Sequence, residues 1–113
     1  MENCLFCKII RGEIPSAKVF ENEHVFAFRD IAPQAPVHVL IVPKAHMDDA
    51  LALEEKGEAA AEVFKAAVVI AKQEGVAADG FRIVTNCGKH GAQSVKHLHF
   101  HLLGGEQLSE KMN

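Results

Sequence analysis

Residues 97–103 read His-Leu-His-Phe-His-Leu-Leu. Side chains alternate along an extended strand, so His97, His99 and His101 share one face and Leu98, Phe100 and Leu102 the other. Three imidazoles in register, backed by an apolar face, suit either of two tasks. They can bind a metal, or they can supply a nucleophile and proton donors beside an anion. Imidazole titrates at about 6.5, so near neutral pH one ring can attack while a neighbour gives up a proton. A merely solvated face fits one histidine better than three in register, bracketed by Gly88, Gly91, Gly104 and Gly105. Just upstream, Gly91-Ala92-Gln93-Ser94-Val95 is a run of mostly small residues, and small side chains let backbone N–H groups approach an anion.

A second group lies near the start of the chain. Cys4-Leu5-Phe6-Cys7 has the C-x2-C spacing that sets two thiolates on one tetrahedral ion. Alone the spacing is ambiguous between zinc, redox chemistry and a pair of buried thiols. A metal needs two further ligands, for which His46 and His97 are the candidates. Both come from distant parts of the chain. Longer loops cost only about 0.6 kcal/mol more per doubling of length, so separation along the sequence is no objection.

These residues need elements to hold them. Leu5–Gly12 reads as a short helix that Gly12 and Pro15 stop. Lys18–Phe20 and Val25–Arg29 read as strands around the polar turn Glu21-Asn22-Glu23. On the second, Val25, Ala27 and Arg29 point one way and Phe26, Phe28 and Asp30 the other. Val37–Val42, rich in β-branched residues, reads as a buried strand that Pro43 ends. Asp48–Leu53 suggests a helical turn, and Glu54–Glu74 a long helix with Ala60, Val63, Phe64, Ala67, Val68 and Ala71 on its apolar side. Gly75 supplies the stop. Phe81–Thr85 and Val95–Leu103 complete the strands. The expected class is α+β with a mainly antiparallel five-stranded sheet, one long helix and one or two short ones.

Composition bounds the partners. The 113 residues suit one domain, 49% of them are hydrophobic and 24% charged, which excludes wholesale disorder. No apolar run approaches the roughly 20 residues of a membrane helix. The opening Met1-Glu2-Asn3-Cys4 does not resemble a secretory signal. A net charge of −3 gives no basic field for nucleic acid or anionic lipid. The odd count of 3 cysteines argues for reduced thiols or metal over a disulfide framework, so a cytoplasmic setting is expected.

The His-φ-His-φ-His-φ-φ pattern (φ apolar) preceded by Gly-Ala-Gln-Ser-Val resembles the histidine triad superfamily. The ending Leu102-Leu103-Gly104-Gly105 is similar to its Hint branch; the fragile-histidine-triad branch typically carries Pro-Arg there. Phe6 to Pro15, Phe28 to Pro36, His38 to His46 and Arg82 to Asn86 resemble Hint sequences as well, so the likeness spans residues 1–113 almost end to end.

The resemblance implies a HIT-like fold and a hydrolase of purine nucleoside phosphoramidates and related adenylates. His99 matches the nucleophile that forms a nucleotidyl-histidine, with its other ring nitrogen held as N–H by a backbone carbonyl. His101 matches a phosphate contact, Ser94 faces the leaving group, and His38 lies beside the triad. Ala92, Gln93, Ser94 and Val95 match the segment whose amides hold the developing charge. Asp30 matches the ribose ligand, and Phe6, Phe28 and Ile31 the purine slot. Arg29 is expected beside that slot, and Asn86 near the phosphate. Cys4, Cys7, His46 and His97 match a structural zinc site found in many microbial members, with no metal required for catalysis. Hint proteins are homodimers that join two five-stranded sheets, with the long helix near the two-fold axis. Animal members carry a Trp-Pro-Pro-Gly tail that this tryptophan-free chain lacks. Two other classes fit the pattern less well: hydrolysis of dinucleoside polyphosphates or nucleotidyl transfer, and a non-catalytic nucleotide-binding or zinc module. His24 and His90 read as surface residues.

Overall fold

The computed structural model describes residues 3–112; Met1, Glu2 and Asn113, which enter the reading of the two ends, lie outside the described residues. The chain runs α1 (Leu5–Ile10), β1 (Lys18–Glu21), β2 (Val25–Arg29), β3 (Val37–Pro43), a 3₁₀ turn (Ala50–Glu54), α2 (Gly57–Gln73), β4 (Phe81–Thr85) and β5 (Phe100–Gly104). The five strands form one antiparallel sheet in the order β1-β2-β3-β5-β4. Among the described residues no helix is long and apolar enough to cross a membrane.

Strand alternation divides the core. Val25, Ala27, Val39, Ile41, Leu98, Phe100 and Leu102 pack with Val63, Ala66, Ala67, Ile70 and Ala71 of α2. On the opposite face Phe26, Phe28, Leu40 and Val42 pack with Phe6 and Ile9 of α1. The helix has the expected period, but its buried stripe is displaced around the axis. Phe64 and Val68 remain about half exposed while Ala66 and Ile70 are buried. At its C-terminus Gly75 adopts φ +76°. Its N–H donates to Lys72 O at 3.3 Å and that of Val76 to Ala71 O at 2.9 Å, satisfying carbonyls the helix leaves open.

Two boundaries differ from expectation. The helix begins at Gly57 rather than Glu54, because the preceding residues form a separate 3₁₀ turn whose N-cap, Asp49, accepts from Leu51 N–H at 3.0 Å. The strand expected from Val95 pairs only from Phe100, opposite Ile41 and Thr85. Before that point Leu98 N–H donates to Met47 O at 2.7 Å, so the backbone is held by the 46–49 segment and not by a ladder. The side chains alternate nonetheless: Leu98 enters the α2 core, while the rings of His97 and His99 lie against Phe6 on the other face.

Candidate active site and metal centre

A ring nitrogen that faces a carbonyl must donate, since a carbonyl only accepts. His99 Nδ1 lies 2.7 Å from His97 O, so Nδ1 carries the proton and Nε2 of the neutral ring keeps its lone pair. The ring is 3% exposed, its edge set against Phe6 with centroids 5.0 Å apart. Thr85 Oγ1 donates to His99 O at 2.8 Å, fixing the backbone that carries it.

The same logic runs through the neighbouring pair. Gln34 N–H donates to His38 Nδ1 at 3.0 Å, so the proton of His38 sits on Nε2. That nitrogen is 2.9 Å from His101 Nδ1 and 3.4 Å from Asp30 Oδ2. With His101 Nδ1 accepting, the Nε2–H of His101 is left as a donor. Burial pushes the pKa of His101 down to about 4, helped by His99 and His38 and opposed by Asp30. Burial also lowers His38, against the pull of Asp30. Both rings are therefore neutral at pH 7. The Asp30 carboxylate is itself oriented by Ala32 N–H, at 2.8 Å from Oδ1.

Ahead of the row, the 86–95 loop is tied to itself. Asn86 Nδ2 donates to Gly91 O at 2.7 Å. A Cβ on Gly91 would lie 2.4 Å from Cys87 O, so only glycine fits that close approach. Gln93 N–H is bonded to Gly88 O at 3.0 Å, whereas the N–H groups of Ser94 and Val95 meet no acceptor among the described residues. Ser94 is exposed, and Val95 packs beside the Phe6–Phe28 cluster.

The expected purine slot is brought together in part. Phe6 and Phe28 meet edge-on at 5.5 Å, both buried, and Ile31 is wholly exposed. Arg29 does not join them. Its guanidinium pairs with Glu74 at 2.7 and 3.1 Å, on the α2 side of the sheet. Its placement beside the purine is therefore corrected, for alternation along β2 sends it with Val25 and Ala27. Gln93 is likewise no free ligand, since both ends of its carboxamide bond to backbone atoms.

Cys4, Cys7, His46 and His97 place one ligand atom each within 4.8 Å of one another. Cys4 Sγ and Cys7 Sγ lie 3.3 and 3.5 Å from His97 Nδ1, and Cys7 Sγ lies 3.3 Å from His46 Nδ1. Tetrahedral zinc with its usual bond lengths has ligand atoms about 3.5 Å apart, so the donors fit. The outer partners fit too. His97 Nε2–H donates to Pro43 O at 2.9 Å and His46 Nε2–H to Asp48 Oδ1 at 2.8 Å. Both rings therefore turn an Nδ1 lone pair toward the thiols, with the outer hydrogen bonds that metal-binding histidines need. Burial lowers the pKa of His97, favouring the neutral ring. The Cys7 thiol is pushed up, first by burial and then by Cys4.

Gln34, Pro43, Asp48 and Thr85 thus have roles that sequence reasoning missed. Gln34 and Pro43 act through backbone atoms, which carry no residue-type signal; Asp48, two positions after His46, and Thr85 act through side chains and left one. His24 stands at the surface near Glu23 and Glu62, and His90 is exposed, as expected.

The family model of the HIT domain matches residues 11–108. The chain is 47% identical over 110 residues to the purine nucleoside phosphoramidase of Escherichia coli K12, covering 95% of this chain and 91% of that protein. It is 50% identical over 109 residues to a 14 kDa zinc-binding protein of Zea mays, covering 93% and 84%. The solved HIT family hydrolase of Clostridium thermocellum superposes with a TM-score of 0.96 at 46% identity, over 100% of this chain and 99% of that one.

Proposed function

Because the chain belongs to the HIT-domain family, we propose that it is a nucleotide hydrolase of the Hint type, cleaving the P–N bond of purine nucleoside phosphoramidates and related adenylates. The observation that carries the reading is the fixed tautomer of His99, whose Nδ1–H is bound to His97 O and whose Nε2 lone pair is the free nucleophile. In the first half-reaction Nε2 attacks the α-phosphorus, a P–N bond to His99 forms, and the bond to the leaving amine breaks. The amine departs with one added proton, drawn from solvent and returned to it when water attacks in the second half. In the second half water attacks phosphorus, His99 leaves as neutral imidazole, and the proton released by water closes the balance. His101 Nε2–H donates to a phosphate oxygen, with His38 behind it holding the tautomer. The unpartnered Ser94 and Val95 amides face the charge that develops, commonly a large catalytic term. Ser94 Oγ stands toward the leaving group.

Asp30 accepts from the ribose hydroxyls, and Phe6, Phe28 and exposed Ile31 border the base. Adenine and guanine are then treated alike, while deoxyribose leaves the carboxylate one donor short. The test is a panel of adenosine phosphoramidate against diadenosine polyphosphate, with wild type and His99→Ala side by side. Preference for the polyphosphate, or turnover by the variant, overturns the reading.

Cys4, Cys7, His46 and His97 would hold a structural zinc that pins α1 to the segment carrying His97; bound there, zinc supplies a crosslink and no step of the reaction. The name of the maize relative supports this, as does the donor set. Metal analysis of chelator-free protein should return one zinc per chain. The exposed Phe64, Val68 and Val69 of α2, and Phe81 exposed on edge strand β4, support an isologous homodimer. Light scattering at micromolar concentration tests it, and a monomer refutes it. Cysteines kept in the reduced form, Cys4 and Cys7 as ligands and Cys87 as a thiol, support a reducing, cytoplasmic setting.

A further inference from the structure

A carboxamide offers one acceptor oxygen and two N–H donors. In Gln93 all of them meet backbone atoms. Oε1 accepts from Gly88 N–H at 2.9 Å, and Nε2 donates to Asp48 O at 2.7 Å and to Val95 O at 2.9 Å. The main-chain N–H of the same residue donates to Gly88 O at 3.0 Å. One half-buried side chain therefore ties together three stretches: the loop after β4, the segment that carries His46, and the residues leading into the histidine row. Immediately before it, Ala92 has φ +60°, a left-handed conformation that a residue with a Cβ keeps only when its surroundings impose it. Immediately after it come the Ser94 and Val95 amides, which meet no acceptor among the described residues.

We propose that Gln93 is a positioning residue for the hydrolase reaction, its side chain fixing the Ser94–Val95 backbone so that both amides are aimed at the phosphate before substrate arrives. The inference rests on the hydrolase reading above. No other side chain reproduces the set of bonds: glutamate lacks the donors, methionine lacks both donors and acceptor, and asparagine is a methylene too short to span the three segments. Preorganised amides act on charge that develops in the transition state more than on the ground state. Loss of the carboxamide should therefore appear in kcat and only weakly in KM.

The experiment uses the full chain and adenosine phosphoramidate, with Gln93→Met, Gln93→Glu and, as a stability control, Val76→Ala in the core under α2. Gln93→Met should lose about tenfold to a hundredfold in kcat with KM within about threefold of wild type. Gln93→Glu should be at least as impaired at neutral pH. It should regain activity relative to wild type as the pH falls and its carboxyl protonates, because the acid form again offers a donor beside an acceptor. Val76→Ala, although its melting temperature falls, should keep kcat within about twofold, since it lies outside the loop. A folded Gln93→Met with wild-type kcat, or a loss confined to KM, overturns the proposal. Should the methionine variant not fold, a Gln93→Glu profile parallel to that of wild type overturns it instead. Wild-type protein without phosphoramidase activity removes the hydrolase reading and this inference together. Active wild type with unimpaired variants removes this inference alone.

Discussion

His97 and His99 stand two residues apart on one face and take opposite tautomers. His97 gives its Nε2–H to Pro43 O and turns Nδ1 toward Cys4 and Cys7, whereas His99 gives its Nδ1–H to His97 O and frees Nε2. In the first region the lone pairs of His46 and His97 converge with two thiols on one point. In the second, His38 and His101 pass hydrogen bonds from ring to ring, and the lone pair of His99 is left alone. Residue type is the same in both places. On the proposed function, what separates a metal ligand from a nucleophile is which nitrogen the surrounding acceptor occupies.

The most severe way to break this comparison is His99→Ala. Activity toward the phosphoramidate should fall by several orders of magnitude, with nucleotide affinity held within about tenfold, because binding and chemistry use different groups. Turnover assays and calorimetry with AMP read the two effects separately. Near-normal turnover would mean that the free lone pair is not the nucleophile.

Next in size is Cys4→Ser/Cys7→Ser. Zinc should be absent by metal analysis and the melting temperature lower by about 10 °C, since metal affinity is also folding free energy. The loss in kcat should be much smaller than that of His99→Ala. Metal-free wild-type protein of equal stability would merge the two regions, returning His97 to the active site.

The catalytic region should also announce itself in acid. His101 titrates at about 4 when folded against about 6.5 when unfolded, and His38 is displaced the same way. As pH falls, the unfolded chain takes up these protons first. Their contribution is therefore complete above about 6.5 and is lost progressively toward 4. Urea titrations at pH 7 and pH 5 should show wild type losing more stability than His101→Gln. Equal losses would contradict a neutral, buried His101.

The smallest effect is expected at Arg29, which neither region uses. Arg29→Met should leave kcat and KM within about twofold and cost at most about 1 kcal/mol, the usual ceiling for a pair this exposed. A marked change in base preference would restore Arg29 to the purine slot.

Much of this was legible in the chain of letters. Period-two alternation placed His97, His99 and His101 on one face and Leu98, Phe100 and Leu102 on the other, and the C-x2-C spacing marked the thiols. Alternation on β2 was equally informative, and it contradicts the expected position of Arg29: a residue in phase with Val25 and Ala27 faces α2 and meets Glu74. The helix period was readable, but the stripe that is buried was not. Phe64 and Val68 have the hydrophobicity of core residues, yet Ala66 and Ile70 face the sheet, because the rotation of a helix about its own axis is settled by the surface it packs on.

The sequence by itself determined the donor types, their alternation and the elements that carry them, since these follow from local geometry repeated residue by residue. Tertiary structure decided the tautomers of His97 and of the His38–His101 pair, whereas His99 takes its own from a carbonyl two residues before it. Pro43 O lies 54 residues from His97 and Gln34 N–H four from His38, and both are backbone groups that every sequence possesses. Where the ring nitrogens of His97 and His38 find a carbonyl or an N–H depends on how the 43–49 segment and the 30–36 loop come to rest against β5. That placement follows from packing of the whole sheet, and with it which ring nitrogen keeps its lone pair, on which the proposed division between holding an ion and attacking phosphorus rests.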